Sequence, residues 1–351
     1  MTKTLRNLNH RSQTHQHWLD VMNQSKYINY QHDCYNQGPL VETLEFRIAE
    51  LLGKEKALFF HKGITAQLTA LKVIAEEKNN NKVVLHPQSH IAGDEKNAYQ
   101  ELMNLHGIEI GVQDTPFTAK QVAEVDELVG SLTIEIPLRR AGFKLTPWNE
   151  LKKMQEWSYR NKTHFHMDGA RLWESTQYYQ KSFAEISNLF DSVYVSLYKG
   201  LGGLSGAVLT GDSEFIDSCK VWRSRLGGDL YSAFPMLITA LEGIDNHLEK
   251  IPSWVERAHE IASILNHLDK IHVDKPHTNG FLVFIEADLE ELNKKSIELN
   301  RKHGFSLFPR FVKSKIEQIQ KAELQVGIGA KEISNEEILD YFHALLSSTA
   351  T

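Results

Sequence analysis

Two polar residues stand where apolar β-runs stop. Thr163–Met167 reads as a strand that Asp168 ends, within His166-Met-Asp168-Gly-Ala-Arg171. Ser192–Leu197 alternates with period two, and Lys199 follows it within Ser196-Leu-Tyr-Lys199-Gly-Leu-Gly-Gly203. A lysine amine can form an imine with an aldehyde, and a carboxylate can keep a pyridinium nitrogen protonated so that its ring accepts electrons. The two together, at strand ends beside glycine turns, are what a pyridoxal 5′-phosphate (PLP) site needs. A lone lysine in a hairpin turn is ordinarily solvated, and a lone Asp-Gly is ordinarily a turn. The conjunction, with Ser196 three residues before the lysine, favours chemistry over either bland reading. A buried lysine near cations also holds more free amine.

Other residues fall around this pair. Gly63 opens a helix directly after the apolar run Ala57–Phe60, and backbone N–H groups at a helix start bind anions. Arg171 follows Asp168 by three residues, so a first helical turn would aim both at one space. The alternative for Arg171 is a surface salt bridge. His164-Phe-His166-Met-Asp168 places three potential ligands on one strand face, a spacing that zinc hydrolases use, and this stands as a remote alternative. A non-catalytic PLP-binding protein is another, which amino-acid turnover would exclude.

The elements that must position these residues alternate. Pro39–Leu52 is an amphipathic helix with Gly53 at its C-cap. Strands are expected at Ala57–Phe60, Lys82–His86, Ile108–Val112 and Leu132–Ile136, with helices between them at Ile64–Glu77 and Trp148–Arg160. This order implies a mostly parallel sheet covered on both faces. Val193–Leu197 and Ala207–Thr210 are separated by nine residues. That is too few for a parallel crossover, so the pair should be antiparallel with Lys199 in the turn. From Gly243–Pro252 onward the pattern changes to α+β. Helices are expected at Trp254–Leu268, Leu289–His303 and Glu336–Leu346, and strands at Phe281–Ile285 and Ala322–Ile328. The expected division is an N-terminal arm over 1–30, a large PLP-binding domain over 31–245 and a small C-terminal domain over 246–351.

Composition narrows the class. Of 351 residues, 41% are hydrophobic and 24% charged, as in soluble globular proteins. A net charge of −6 without a basic block argues against a nucleic-acid partner. Two cysteines, Cys34 and Cys219, make no disulfide framework and suit a reducing, cytoplasmic setting. No apolar run is long enough to span a membrane. The polar, histidine-rich start, Met1–Asp20, lacks a signal peptide's apolar core and reads as an arm lying on another surface.

His-Met-Asp-Gly-Ala-Arg-Leu-Trp-Glu (166–174) and Asp-Ser-Val-Tyr-Val-Ser-Leu-Tyr-Lys-Gly-Leu-Gly (191–202) resemble the two signature segments of the L-threonine aldolase family, among the β-eliminating lyases. The resemblance runs from about Pro39 to Arg225 and more faintly beyond. It implies the PLP-dependent transferase-like fold (fold type I), a mixed sheet with one antiparallel strand near the lysine, and active sites at a subunit interface of a homodimer or homotetramer. It further implies Lys199 as the cofactor lysine and Asp168 as the pyridinium partner. Gly63, Ile64 and Thr65 match the phosphate cradle, with Ile64 where the family has threonine, and Ser196 would add a hydroxyl. His90 matches the histidine that stacks on the ring, the alternative being a loop histidine that caps a helix. Arg171 contacts either the phenolic oxygen or the substrate carboxylate. Arg223 and Arg225 match basic residues that reach a phosphate, in some members across subunits. Two departures stand out: Leu138 occupies the position of a histidine that helps hold the substrate hydroxyl, and 322–329 lacks the carboxylate-binding arginine. Arg310, Arg139 and Arg140 are the available replacements. The implied activity is aldehyde-lyase cleavage of L-threonine or L-allo-threonine to glycine and acetaldehyde. β-Elimination from another amino acid is the runner-up.

Overall fold

The computed structural model describes residues 5–9 and 14–347. The chain forms two compact units, one of residues 18–248 and one that joins residues 1–17 to 249–351.

In the larger unit, seven strands form one sheet: β1 (Lys56–Phe60), β2 (Lys82–Leu85), β3 (His106–Glu109), β4 (Ser131–Glu135), β5 (His164–Gly169), β6 (Ser192–Ser196) and β7 (Ala207–Gly211). Their spatial order is β1-β7-β6-β5-β4-β2-β3. Only β7 opposes the rest, pairing antiparallel with both β6 and β1. The short 197–206 connection therefore turns back as its length requires, and Lys199 sits in it. β4, β5, β6 and β7 are buried along their lengths except at Glu135, as expected of strands covered on both faces. Helices Pro39–Leu52 and Gly63–Glu77 flank the sheet. The first ends at Gly53, whose φ of 61° is the left-handed conformation glycine adopts without penalty.

The smaller unit holds a four-stranded antiparallel sheet of β8 (Ile271–Val273), β9 (Gly280–Glu286), β10 (Val312–Lys313) and β11 (Ile319–Gln325), in the order β10-β11-β9-β8. Helices Ile251–Leu265, Leu289–His303 and Asn335–Leu346 belong to it. Residues 6–9 do too: the Arg6 N–H donates to Gly304 O at 3.1 Å, and the Arg6 guanidinium donates to Glu337 at 2.8 Å. The part of the expected arm at residues 1–4 and 10–13 lies outside the described residues.

Three expected elements shift. β3 lies two to three residues before Ile108–Val112, because the parallel register His106↔Lys82 to Glu109↔Leu85 sets an edge strand whose own side chains are largely exposed. β11 ends at Gln325, short of Ile328: Val326 still donates to Asn279 O beside β9, but Gly327 turns to Leu8 O and Ile328 to Asn9 O. The helix expected from Trp254 begins earlier, at Ile251, with a proline in its first turn. No helix among the described residues is long and apolar enough to cross a membrane. Cys34 is exposed and Cys219 buried, both as free thiols.

Candidate active site

With β7 excepted, the strands of the large sheet point one way, so their carboxyl ends share an edge. Gly63 follows β1, His90 follows β2, Glu135 ends β4, Asp168 lies at the end of β5, and Lys199 follows β6. Ligands of open α/β sheets bind at this edge. A cavity of about 100 Å³ opens there, lined among others by Gly63, Ile64, Gln67, His90, Asp168 and Lys199. Five residues singled out from sequence thus meet in one place.

Lys199 is held at the cavity with its amine largely removed from water. Burial first, and the Arg171 charge second, bring its pKa down to about 8, against the pull of Asp168, Glu135 and Glu174. Roughly a tenth of the amine is therefore free at pH 7, far more than an ordinary lysine offers, which a nucleophilic lysine needs. Asp168 is 2% exposed, and its Oδ1 accepts the Ala170 N–H at 3.1 Å. The parallel register sets Glu135, Asp168 and Tyr194 side by side on one face of three adjacent strands. Two carboxyl groups on neighbouring strands disfavour each other's charge. Burial, then the Asp168 charge, push Glu135 up to about 7. Glu135 also accepts the backbone N–H groups of His90 at 2.6 Å and Arg139 at 3.1 Å, tying the His90 turn to β4.

His90 begins a one-turn helix capped by Ser89. Its Nδ1 lies 2.8 Å from Glu95 Oε1, and that bond, more than any other cause, raises the imidazole above its ordinary pKa. Glu95 is itself 5% exposed and raised, chiefly by burial. Fixing Nδ1 in this way leaves Nε2 as the free ring position.

The helix Gly63–Glu77 starts after Lys62, which is extended and offers no side-chain cap. Its first-turn N–H groups are the orphans of any helix start and can take an anion. A Cβ at Gly63 would overlap the Tyr194 hydroxyl, so this turn admits only glycine. Ser196 is fully buried at the end of β6, and its Oγ finds no partner among the described residues. Gln67 Nε2 is likewise buried and unpartnered. An uncapped helix start, an orphaned hydroxyl, a depressed lysine and a strand-end carboxylate fit the parts of PLP: phosphate, aldehyde and ring nitrogen.

Other expected residues lie outside the lining. Thr65 is half-buried on the first turn. Arg171 places its guanidinium 5.4 Å over the Phe143 ring. Arg225 lies on the last turn of the helix Ser213–Arg225 and is exposed, 4.8 Å over Trp222. Arg223 is buried, donating to Asp229 Oδ1 and Phe59 O at 2.9 Å each, which makes it a clamp within the chain. Arg140 pairs with Asp94, and Arg310 is an exposed residue of the smaller unit. The His-x-His-x-Asp run forms a hydrogen-bonded ladder. His164 Nε2 and His166 Nδ1 each lie 2.7 Å from Ser192 Oγ, and His166 Nε2 lies 2.7 Å from Gln67 Oε1. Both ring nitrogens of His166 are engaged, which removes it from the zinc alternative.

Sequence reasoning missed Gln67, Glu95, Glu135 and Glu174. Glu135 carried the signal that found Asp168, an acid at the end of an apolar strand. Glu174 is 2% exposed, with Oε1 within 2.5 Å of where a Cβ at Gly200 would lie. Burial pushes its carboxyl up to about 7 against the charges of Arg171 and Lys199.

The family model for beta-eliminating lyases matches residues 18–288. A candidate L-allo-threonine aldolase from Listeria monocytogenes EGD-E superposes with a TM-score of 0.92 at 32% identity, over 98% of this chain and 96% of that one. A candidate aromatic amino acid beta-eliminating lyase/threonine aldolase from Exiguobacterium sp. 255-15 gives 0.92 at 28% identity, over 98% and 97%. Low-specificity L-threonine aldolase 1 of Arabidopsis thaliana is 25% identical over 286 residues, 77% of this chain and 78% of its own length. A match across most of the sequence, and near-complete superposition on relatives of the same fold, mean that this chain belongs to the beta-eliminating lyase family and is a pyridoxal-phosphate-dependent lyase.

Proposed function

We propose that the protein cleaves a β-hydroxy-α-amino acid by retro-aldol reaction, with L-threonine or L-allo-threonine giving glycine and acetaldehyde. The observation that carries this reading is the convergence of Lys199, Asp168 and His90 on one small cavity at the carboxyl edge of the sheet. The relatives named as threonine aldolases support the choice of bond.

When bound, PLP supplies an aldehyde that captures amines and a ring that takes up electrons released at the substrate Cα. Lys199 would hold it through its amine, whose lowered pKa keeps more of it nucleophilic. Asp168 holds the proton on the ring nitrogen. The N–H groups of Gly63, Ile64 and Thr65, with Ser196 Oγ, hold the phosphate. His90 covers the ring face and, with Nδ1 fixed by Glu95, presents Nε2 to accept the β-hydroxyl proton. In its neutral form it can do so, so the rate should fall as pH drops through its raised pKa. Arg171 takes the substrate carboxylate together with one of Arg310, Arg139 and Arg140. Arg225 serves the phosphate of a neighbouring subunit in a homodimer or homotetramer.

A second reading keeps the cofactor and changes the bond. Leu138 is buried where the family resemblance places a histidine that helps hold the hydroxyl, which favours β-elimination. Products separate the two. Incubation with L-threonine, L-allo-threonine and L-serine should yield glycine and the matching aldehyde. Ammonia with 2-oxobutyrate or pyruvate, and no glycine, would replace the aldolase reading with elimination.

A further inference from the structure

Gln67 lies one turn into the helix Gly63–Glu77, on the face that lines the cavity with Asp168 and Lys199. It is 1% exposed. Its two amide atoms have different fates. Oε1 is taken by His166 Nε2 at 2.7 Å, while Nε2 is buried with no partner among the described residues. A buried amide left with an unmade donor bond is costly, so a native chain that keeps one has a use for it.

A hydrogen-bond chain accommodates this orientation of the amide. With the amide oxygen on His166 Nε2, that nitrogen must donate, so His166 Nδ1 must accept. Ser192 Oγ is the group 2.7 Å from Nδ1, and it donates there while accepting from His164 Nε2 at 2.7 Å. Burial keeps both imidazoles neutral, with pKa values down at about 3, so each has one donor and one acceptor nitrogen as the chain requires. The opposite orientation would turn the amide oxygen toward a wall that carries the Asp168 carboxylate. A donor is the favoured atom there.

We propose that Gln67 is a further cofactor-binding residue: its amide N–H₂, aimed into the cavity by the His164–Ser192–His166 chain, donates to an anionic oxygen of bound pyridoxal phosphate. Gln67 makes the contact, and the two histidines and Ser192 are positioning residues that act through it. The proposal rests on the reading that this cavity holds PLP. The acceptor is an oxygen of the phosphate or of the ring, the same chemistry from two parts of one ligand.

Equilibrium dialysis of the full-length protein against graded pyridoxal 5′-phosphate tests this without reference to turnover. Gln67→Met keeps the length and removes the donor. Gln67→Glu keeps an oxygen for His166 and puts another where the N–H₂ was. Each should weaken cofactor binding about tenfold or more, the equivalent of about 1.4 kcal/mol. A parallel titration with pyridoxal, which lacks the phosphate, places the acceptor. A loss that persists assigns it to the ring, and a loss confined to the phosphorylated form assigns it to the phosphate. If Gln67→Met gives no folded protein by circular dichroism, Gln67→Glu decides. Wild type binding the cofactor, with both variants within about twofold of it, overturns the role of Gln67 alone. Wild type failing to bind overturns the cofactor reading and this inference together.

Discussion

Replacing Glu174 with glutamine should stabilise the cofactor-free protein, and do so far more at neutral and alkaline pH than at pH 5. Glu174 is fully buried, and its pKa is raised from 4.5 to about 7. The unfolded chain gives up this proton near pH 4.5 and the folded chain near 7, so between those values the folded state holds more protons. Stability is then lost as pH rises. The shift of about 2.5 units at about 1.36 kcal/mol each makes the ionised group cost about 3 kcal/mol at pH 8, and under about 1 kcal/mol at pH 5. Glutamine keeps the shape and does not ionise, so Glu174→Gln should recover that difference. For a chain of this size it corresponds to a melting temperature higher by roughly 3–6 °C at pH 8, and by about a degree at pH 5. Scanning calorimetry of both proteins at the two pH values is the assay. An equal shift at both pH values, or destabilisation at pH 8, would refute the reasoning. It would mean that Arg171 and Lys199 compensate the buried charge in full.

Other expectations follow from the same cavity. Glu95→Gln removes the main cause of the raised His90 pKa, so the acidic limb of the kcat/KM profile should move to lower pH; an unmoved limb would show that another group titrates there. Asp168→Asn should preserve the fold by circular dichroism and lower kcat by several orders of magnitude, about tenfold for each ~1.4 kcal/mol of lost transition-state stabilisation. A near-wild-type rate would take Asp168 out of the mechanism. Alanine at Arg171 should raise KM and weaken glycine binding while PLP absorbance stays unchanged. If Arg139, Arg140, Arg171 and Arg310 variants all bind glycine as wild type does, the carboxylate has another partner. Sedimentation should show a dimer or larger, and an active monomer at assay concentration contradicts the role given to Arg225.

The strand-end residues were legible because burial on both faces writes a strand as an apolar run, and a polar residue closing such a run is conspicuous. Asp168, Lys199 and Gly63 all stand at such breaks, and the antiparallel turn around Lys199 followed from its length alone. Gln67 and Glu95 carry no such mark. Gln67 is a polar residue inside a helix pattern, and its role depends on β5 packing against that helix so that His166 meets it. Glu95 reaches His90 through a one-turn helix whose path no periodicity announces. Glu174 reads as the end of the Asp168 segment, and only the close approach of Gly200 reveals that its carboxyl is sealed from water. The edges of β3 and β11 were misjudged for a related reason: pairing partners, and for β11 the residues at 8–9, set where these strands stop, and local apolarity does not.

The central claim is that Lys199 carries pyridoxal phosphate in this cavity. Borohydride reduction of the purified protein, followed by proteolysis and mass spectrometry, tests it most directly. The reduced cofactor should map to the single peptide containing Lys199 and be lost in Lys199→Ala, which should bind the cofactor only non-covalently. An adduct on another lysine, or none on a yellow protein, would contradict the account.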